Sequence, residues 1–151
     1  MRSVEELRQA RARAVLDLLP VEQMPTWAAH ALAYGHDSPA LRELAGLDGA
    51  DPRQVHDAFS TALDELGVPV LSEKQAHWQM AHAWAQAAVD GTLAPYEAAR
   101  RIWRHACSPL GHPDALAAFA GLASEWEDAP AHRAACEADI VAAAHRLLAS
   151  C

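Results

Sequence analysis

The amino-acid sequence predicts an all-α protein, a single-domain helical bundle of about eight helices, two of them short, over residues 1–151. Apolar residues recur every three or four positions along most of the chain, which is the period of an amphipathic helix. Proline, serine, aspartate and glycine stand where these stretches begin and end. No stretch alternates with period two for long enough to form a strand, and "VPVL" at residues 68–71 comes nearest to that pattern.

The first two helices are bounded by residues with known capping preferences. Ser3 and Glu6 are spaced as a capping box, in which each side chain satisfies a free backbone N–H of the first turn. Pro20 is expected to end this helix because proline cannot continue the hydrogen-bond ladder. Pro25 can occupy the first turn of the next helix, and Gly35 is its expected stop.

The next two helices begin at a capping residue followed by proline. Ser38-Pro39 opens a short helix that Gly46 closes, and Asp51-Pro52 opens a longer helix that ends before Gly67. The longer helix has an apolar stripe that consists of Val55, Phe59, Ala62, Leu63 and Leu66.

Four more helices complete the predicted bundle. Ser72 with Gln75 caps a helix that runs to about Gly91. Two helices are expected to start at prolines, Pro95 and Pro113. A last helix is predicted from about 131 to 149. The length of the chain suits one domain with a core of its own, since roughly 68–70% of the surface can be buried at this size.

The chain is acidic, and the acid is concentrated in one region. The net charge is −8, and residues 37–73 contain eight acidic residues against Arg42 and Arg53, a local balance of −6. This region would repel a phosphate backbone and attract a basic partner. A solvated surface that aids solubility is the simpler interpretation.

The composition also indicates where the protein resides. No apolar run is long enough to span a bilayer, and the N-terminus lacks the apolar stretch and cleavage site of a signal peptide. We therefore expect a cytoplasmic protein without membrane contact. Three cysteines at no repeating spacing predict reduced thiols, with Cys136 buried on an apolar stripe and the terminal Cys151 exposed.

Two histidines and two tryptophans stand close together in "EKQAHWQMAHAWAQAAVDG", residues 73–91. On a helix, His77 falls within the apolar arc and His82 at its edge, about 140° away, so the pair cannot bind one metal ion. His77 is expected to be a partly buried, hydrogen-bonded core histidine. The alternative is a ligand pocket between helices, whose candidate residues are His77, Trp78, Trp84, Tyr96 and Trp103.

No metal or cofactor is predicted, and the sequence offers one weak candidate set for a metal site. If the last helix returns antiparallel, four possible ligands come near one another: His105, Cys107, His112 and His145. Arg104 and His105 beside Cys107 could lower the pKa of its thiol, although an oriented base and an oxyanion site are not evident.

Arg100, Arg101 and Arg104 form a basic ridge on the helix that begins at Pro95. Surface pairing with nearby acids is the modest interpretation, and the candidates are Glu125, Glu127 and Asp128. Binding of an anionic ligand is the alternative. Glycine-rich phosphate loops and the common hydrolase and zinc-protease motifs are absent from the sequence.

Three segments resemble small helical proteins predicted in actinobacterial genomes: "HDSPALRELAGL", "GTLAPYEAARRIW" and "LASEWEDAPAHRAACEADIVAAAHRLL". The resemblance covers roughly residues 36–149. It implies a free-standing, soluble bacterial helical protein. Because no activity is known for that group, the resemblance transfers no functional residue.

Two functions are compatible with these observations. The first is a non-catalytic acidic binding protein that docks a basic or mixed protein partner, as immunity proteins and small adaptors do. Its candidate partner-binding residues are Asp51, Asp57, Asp64 and Glu65. The second is a small-molecule-binding protein or small enzyme that uses the histidine and tryptophan pocket. Nucleic acid is not expected as a partner.

Overall fold

A computed structural model describes residues 4–150 of the chain. Its eight α-helices are α1 Val4–Val15, α2 Met24–Ala33, α3 Pro39–Ala45, α4 Pro52–Glu65, α5 Glu73–Asp90, α6 Pro95–Ile102, α7 Asp114–Asp128 and α8 Arg133–Ala149. Short 3-10 turns precede α2 and α8, and a π-helical segment follows α6. No strand occurs between residues 4 and 150, so the all-α prediction is confirmed.

The described chain divides into two compact units between Ala76 and His77, within α5. The first unit contains α1 to α4, and the second contains most of α5 with α6, α7 and α8. The prediction of a single domain over residues 1–151 stays a prediction, and each unit is described by itself.

The core of the first unit forms where α2, α3 and α4 pack together. Trp27 of α2 meets Phe59 of α4 edge to face, with ring centroids 5.1 Å apart. Leu41 and Leu44 of α3 are completely buried beside Leu63 of α4. The predicted stripe of α4 is therefore its core face, although Leu66 at its end is only partly buried.

Arg11 ties α1 to the end of α4. Its side chain is only 5% exposed, and its guanidinium donates to Asp64 Oδ1 at 2.7 Å and to the carbonyl oxygen of Val68 at 2.8 Å. These bonds link positions more than fifty residues apart, and they satisfy a backbone acceptor that follows the last turn of α4.

Helix starts follow the local signals in the sequence. The Ser38 hydroxyl accepts from the N–H of Leu41 at 3.1 Å. Ser72 and Gln75 form the reciprocal capping box, with bonds of 2.9 and 3.1 Å. Ser3 lies outside the described residues, and so does the capping box predicted with it. Cys151 lies outside them as well.

The predicted stop of α1 at Pro20 is wrong. The helix ends at Val15 because Asp17 adopts a left-handed conformation, with φ of 57°. Leu18 N–H then bonds to Arg13 O at 2.7 Å, which closes the six-residue turn that usually has glycine at the left-handed position. Aspartate is one of the few residues that tolerate this conformation.

The core of the second unit lies between α6, α7 and α8. Ile102, Leu116, Phe119 and Ile140 are almost completely buried. A short connection makes α7 and α8 antiparallel neighbours, and Trp126 Nε1 of α7 donates to Glu137 Oε1 of α8 at 3.3 Å. From His77 onward, the residues on the apolar face of α5 are buried, and two of them, His77 and Trp84, contact His105 of this unit.

Candidate functional site

His77 is a buried, hydrogen-bonded histidine, as predicted. The side chain is 9% exposed, and Nδ1 lies 2.7 Å from the backbone carbonyl oxygen of His105. A carbonyl can only accept, so Nδ1 carries the hydrogen in this bond. His77 thereby attaches α5 to the segment that follows α6.

The carbonyl of His105 needs an external donor because of the residue four positions later. In a regular α-helix this carbonyl would accept from the N–H of residue 109, which is Pro109 and has none. The backbone from Trp103 to Cys107 widens into a π-helix, and Ser108 N–H bonds to Trp103 O at 3.0 Å. The helix that begins at Pro95 is therefore regular only as far as Ile102. His77 supplies the hydrogen bond that Pro109 cannot.

The ring of His105 packs against Trp84 of α5, with centroids 5.8 Å apart. Partial burial lowers the pKa of His105, and the positive charges of Arg100, Arg101 and Arg104 lower that pKa further. His105 is therefore neutral at pH 7. Its backbone and its ring both contact α5, the carbonyl through His77 and the imidazole through Trp84.

The five predicted pocket residues do not all meet. His77 and Trp84 both contact His105, but Tyr96 stacks on Trp126 with ring centroids 3.9 Å apart. Trp78 contacts His82, the edge residue, whose Nδ1 lies 2.9 Å from the Trp78 carbonyl oxygen.

Tryptophans contribute less to the core than their type predicts. Only Trp27 and Trp84 are buried, whereas three are half-exposed: Trp78, Trp103 and Trp126. The guanidinium of Arg133 lies 3.8 Å from the Trp126 ring centroid. Trp126 therefore belongs to an aromatic and cationic cluster with Tyr96 and Arg133, which sequence spacing did not reveal.

The thiol of Cys107 is unsuited to nucleophilic attack. Cys107 is completely buried, and burial raises the pKa of its thiol, so the expected lowering by Arg104 and His105 is wrong. Sγ lies 3.5 Å from Nδ1 of His112, whose left-handed backbone, with φ of 57°, follows a turn at Gly111. Cys136 is buried, as predicted, and the pKa of its thiol is also raised.

The four candidate metal ligands do not come together in the structure. Within residues 4–150, no three histidine, cysteine or acidic side chains lie close enough to hold a metal ion together. Cys107 and His112 meet as a pair, and neither His105 nor His145 completes a site with them.

Two of the three arginines of the basic ridge, Arg100 and Arg101, pair with a residue of their own helix. Glu97 accepts from Arg100 at 2.8 Å and from Arg101 at 3.0 Å. The hydrogen bond from Arg100 is the main reason that the pKa of Glu97 is lowered. The predicted surface pairing therefore occurs with Glu97, one turn away on the same helix face, and of the predicted acids only Glu127 acts on Arg100, at longer range.

The first unit has an acidic groove between α3 and α4. The groove has a volume of about 370 Å³, and its floor includes Ala40 and Ala58. Three carboxylates line it, those of Glu43, Asp51 and Asp57, against one cation, Arg53. Glu43 and Asp57 are exposed and form no ion pair within the described residues. We call this feature the acidic groove.

The four predicted partner-binding acids have different roles. Asp57 lies in the acidic groove, and Asp51 both lines it and caps α4 by accepting from the N–H of Arg53 at 3.1 Å. Asp64 is the ion-pair partner of Arg11, and Glu65 accepts from the N–H of Ala40 at 2.9 Å. Two of the four therefore stabilise the fold of their own unit.

Glu43 is not among the predicted partner-binding residues, because its position in the sequence gives no sign that it faces α4. Only the packing of α3 against α4 brings it beside Asp51 and Asp57.

Comparisons with known proteins add no relationship. No family model matches this sequence, and no curated protein sequence or solved structure is detectably similar to it. The resemblance to actinobacterial helical proteins therefore stays a prediction. No helix within residues 4–150 combines the length and apolar character that crossing a bilayer requires.

Proposed function

We propose that the protein is a non-catalytic binding protein whose acidic groove docks a lysine- and arginine-rich segment of a partner protein. The observation that supports this most is the meeting of three carboxylates, Glu43, Asp51 and Asp57, in one groove with a single cation. Carboxylates accept hydrogen bonds from guanidinium and ammonium groups, and these charge-assisted bonds are the stronger kind.

The shape of the groove suits an extended segment. Ala40 and Ala58 leave its floor shallow and apolar, so the aliphatic stems of lysine or arginine can lie on it while their charged ends reach the carboxylates. The same carboxylates would repel a phosphate backbone, so the proposal does not include nucleic acid. A cytoplasmic location belongs to the proposal as well.

The polar groups around His77 have a different explanation. His77 Nδ1 donates to the carbonyl oxygen of His105, and the rings of Tyr96 and Trp126 stack on each other. These contacts give the predicted pocket residues structural roles, so the small-molecule alternative has less support than the acidic groove.

A binding measurement tests the proposal. A fluorescent lysine- and arginine-rich peptide is titrated with the intact protein, and anisotropy reports the affinity. We expect the double variant Glu43→Gln and Asp57→Asn to bind about three- to tenfold more weakly than the wild type, because each exposed pair contributes about 0.2–1 kcal/mol. Binding should weaken as salt is added.

The control variant carries the same change in charge elsewhere. Glu127→Gln with Asp128→Asn neutralises two exposed acids of α7, outside the groove. Its affinity should match that of the wild type at moderate ionic strength. Equal losses in the two variants would mean that net charge alone attracts the peptide, and the acidic groove would then not be the site. Asp51 is left unchanged because its cap stabilises α4.

A further inference from the structure

A second groove, between α7 and α8, has opposite charges at its two ends. Its volume is about 450 Å³. Glu125 of α7 and Asp139 of α8 lie at one end, and Arg146 lies two helical turns further along α8, about 10 Å away. None of these three side chains forms an ion pair with another residue in the described part of the chain. We call this feature the α7–α8 groove.

The middle of the α7–α8 groove is made of small residues. Ala118, Gly121 and Ala142 are all exposed to solvent. A β-carbon at Gly121 would meet no atom within 4 Å, and Gly121 is not among the glycines with a left-handed backbone. Glycine weakens a helix interior relative to alanine, so contacts within the chain do not explain this residue. Close approach by an outside surface would explain it.

We propose that a second copy of this chain docks on the α7–α8 groove about a two-fold axis near Gly121 and Ala142. This rotation exchanges the two ends, so that Arg146 of each copy faces Glu125 and Asp139 of the other. An interface of this kind must be complementary to itself, and a groove with one acidic end and one basic end is complementary to itself in charge. Small side chains at the crossing let the helices approach closely.

Charge reversal within the groove tests this arrangement. Sedimentation velocity on the full chain, between about 1 µM and about 1 mM, should show the wild type passing from monomer to dimer. Arg146→Glu would place an acid against two acids and should raise the dimer dissociation constant at least tenfold. The double variant Glu125→Arg with Asp139→Arg should have the same effect. Arg104→Glu makes the same change of charge outside the groove, and its dimerisation should match the wild type.

Mixing the two reversed chains separates a paired interface from a general charge effect. A chain with Arg146→Glu and a chain with Glu125→Arg and Asp139→Arg repel their own copies, but both contacts between the two chains are attractive. The equimolar mixture should therefore form a heterodimer under conditions in which each chain alone is monomeric. The Gly121→Leu variant should also stay monomeric, because the leucine side chain would fill the space where the helices of the two copies cross.

Three results would overturn the proposal: a wild-type chain that stays monomeric over the whole range, reversed chains that dimerise like the wild type, or a mixture that does not recover association. A monomeric wild type would leave the α7–α8 groove to a different occupant. The acidic groove lies in the other unit, so peptide binding there can succeed or fail independently of this result.

Discussion

Each unit of the chain contains a carbonyl oxygen that accepts from a side chain of a distant helix. In the first unit the donor is Arg11, which bonds to Val68 O at 2.8 Å. In the second unit the donor is His77, which bonds to His105 O at 2.7 Å. The exposed Asp64 accepts from the guanidinium of Arg11 at 2.7 Å. His77 donates to the carbonyl oxygen of His105, whose usual helical hydrogen bond is missing because residue 109 is proline.

The comparison shows that a polar group near a tryptophan cluster can have a purely structural cause. The histidine and tryptophan pattern of α5 suggests a pocket, but Pro109 explains why a donor is needed at that point. In the first unit, by contrast, the exposed acids Glu43 and Asp57 form no ion pair within residues 4–76, and for that reason they are better candidates for contact with a partner.

Loss of Arg11 should have the largest effect. Arg11→Met keeps an aliphatic side chain but leaves the Val68 carbonyl without its donor, which should lower the free energy of unfolding by roughly 2–3 kcal/mol. Urea denaturation measures this change, and hydrogen exchange should increase in α1 and in the C-terminal turn of α4.

Asp64→Asn is the matched control for Arg11. The Asp64 side chain is 58% exposed, so its loss should cost no more than about 1 kcal/mol. If the two variants were equally unstable, the surface ion pair would matter more than the bond to the carbonyl, and the comparison between the units would fail.

His77→Phe should have the next largest effect. The ring is retained but the donor is lost, so the unfolding free energy should fall by about 1–3 kcal/mol in the wild-type background. Pro109→Ala restores an N–H four residues after His105, and His77→Phe should cost less in that background.

The double-mutant cycle of these two substitutions measures their coupling directly. A coupling energy of about 0.5–3 kcal/mol would support the structural role of His77. Strict additivity would show that Pro109 does not create the need for His77, and the case for a ligand at His77 would then be stronger.

The smallest expected effect is a pH dependence that arises from His105 in the second unit. Because the pKa of His105 is lowered in the folded protein, the unfolded chain binds this proton first. The contribution of His105 to stability is therefore complete above about pH 6.5 and is lost as the pH falls through the lower folded value. Denaturation midpoints measured between about pH 7 and about pH 5 should fall less steeply for His105→Gln than for the wild type.

Identical slopes for the two proteins would contradict the lowered pKa of His105, whose ring packs against Trp84. Arg11→Met provides the contrast, because its hydrogen bonds lie in the first unit and its removal should shift the midpoint without changing the pH slope that His105 causes.

Local rules predicted much of the fold from particular residues. Ser38 and Ser72 with Gln75 cap their helices as spaced, because a cap involves atoms only three residues apart. The sequence also contains a reason for the irregular backbone after α6, since Pro109 has no N–H to donate to the carbonyl oxygen of His105. Asp17 was harder to recognise, because aspartate takes the left-handed conformation much less often than glycine.

The candidate sites were less predictable for a physical reason. Asp51 and Asp57 were identified from their charge, but Glu43 joins them only through the packing of α3 on α4. Asp64 and Glu65 have the same chemistry and lie close by in the sequence. Each of them, however, accepts a hydrogen bond from another helix, Asp64 from Arg11 and Glu65 from the N–H of Ala40.

The sequence alone determined that the described chain is helical, where most of its helices begin, and that His77 and Cys136 are buried, because periodicity and capping act over a few residues. The tertiary structure decided which acids meet, which arginine is buried, and which carbonyl His77 serves. The hydrogen bonds of Arg11 and His77 join residues 57 and 28 positions apart, and Glu43 meets Asp51 and Asp57 only through the packing of two helices, so no local pattern encodes these pairings.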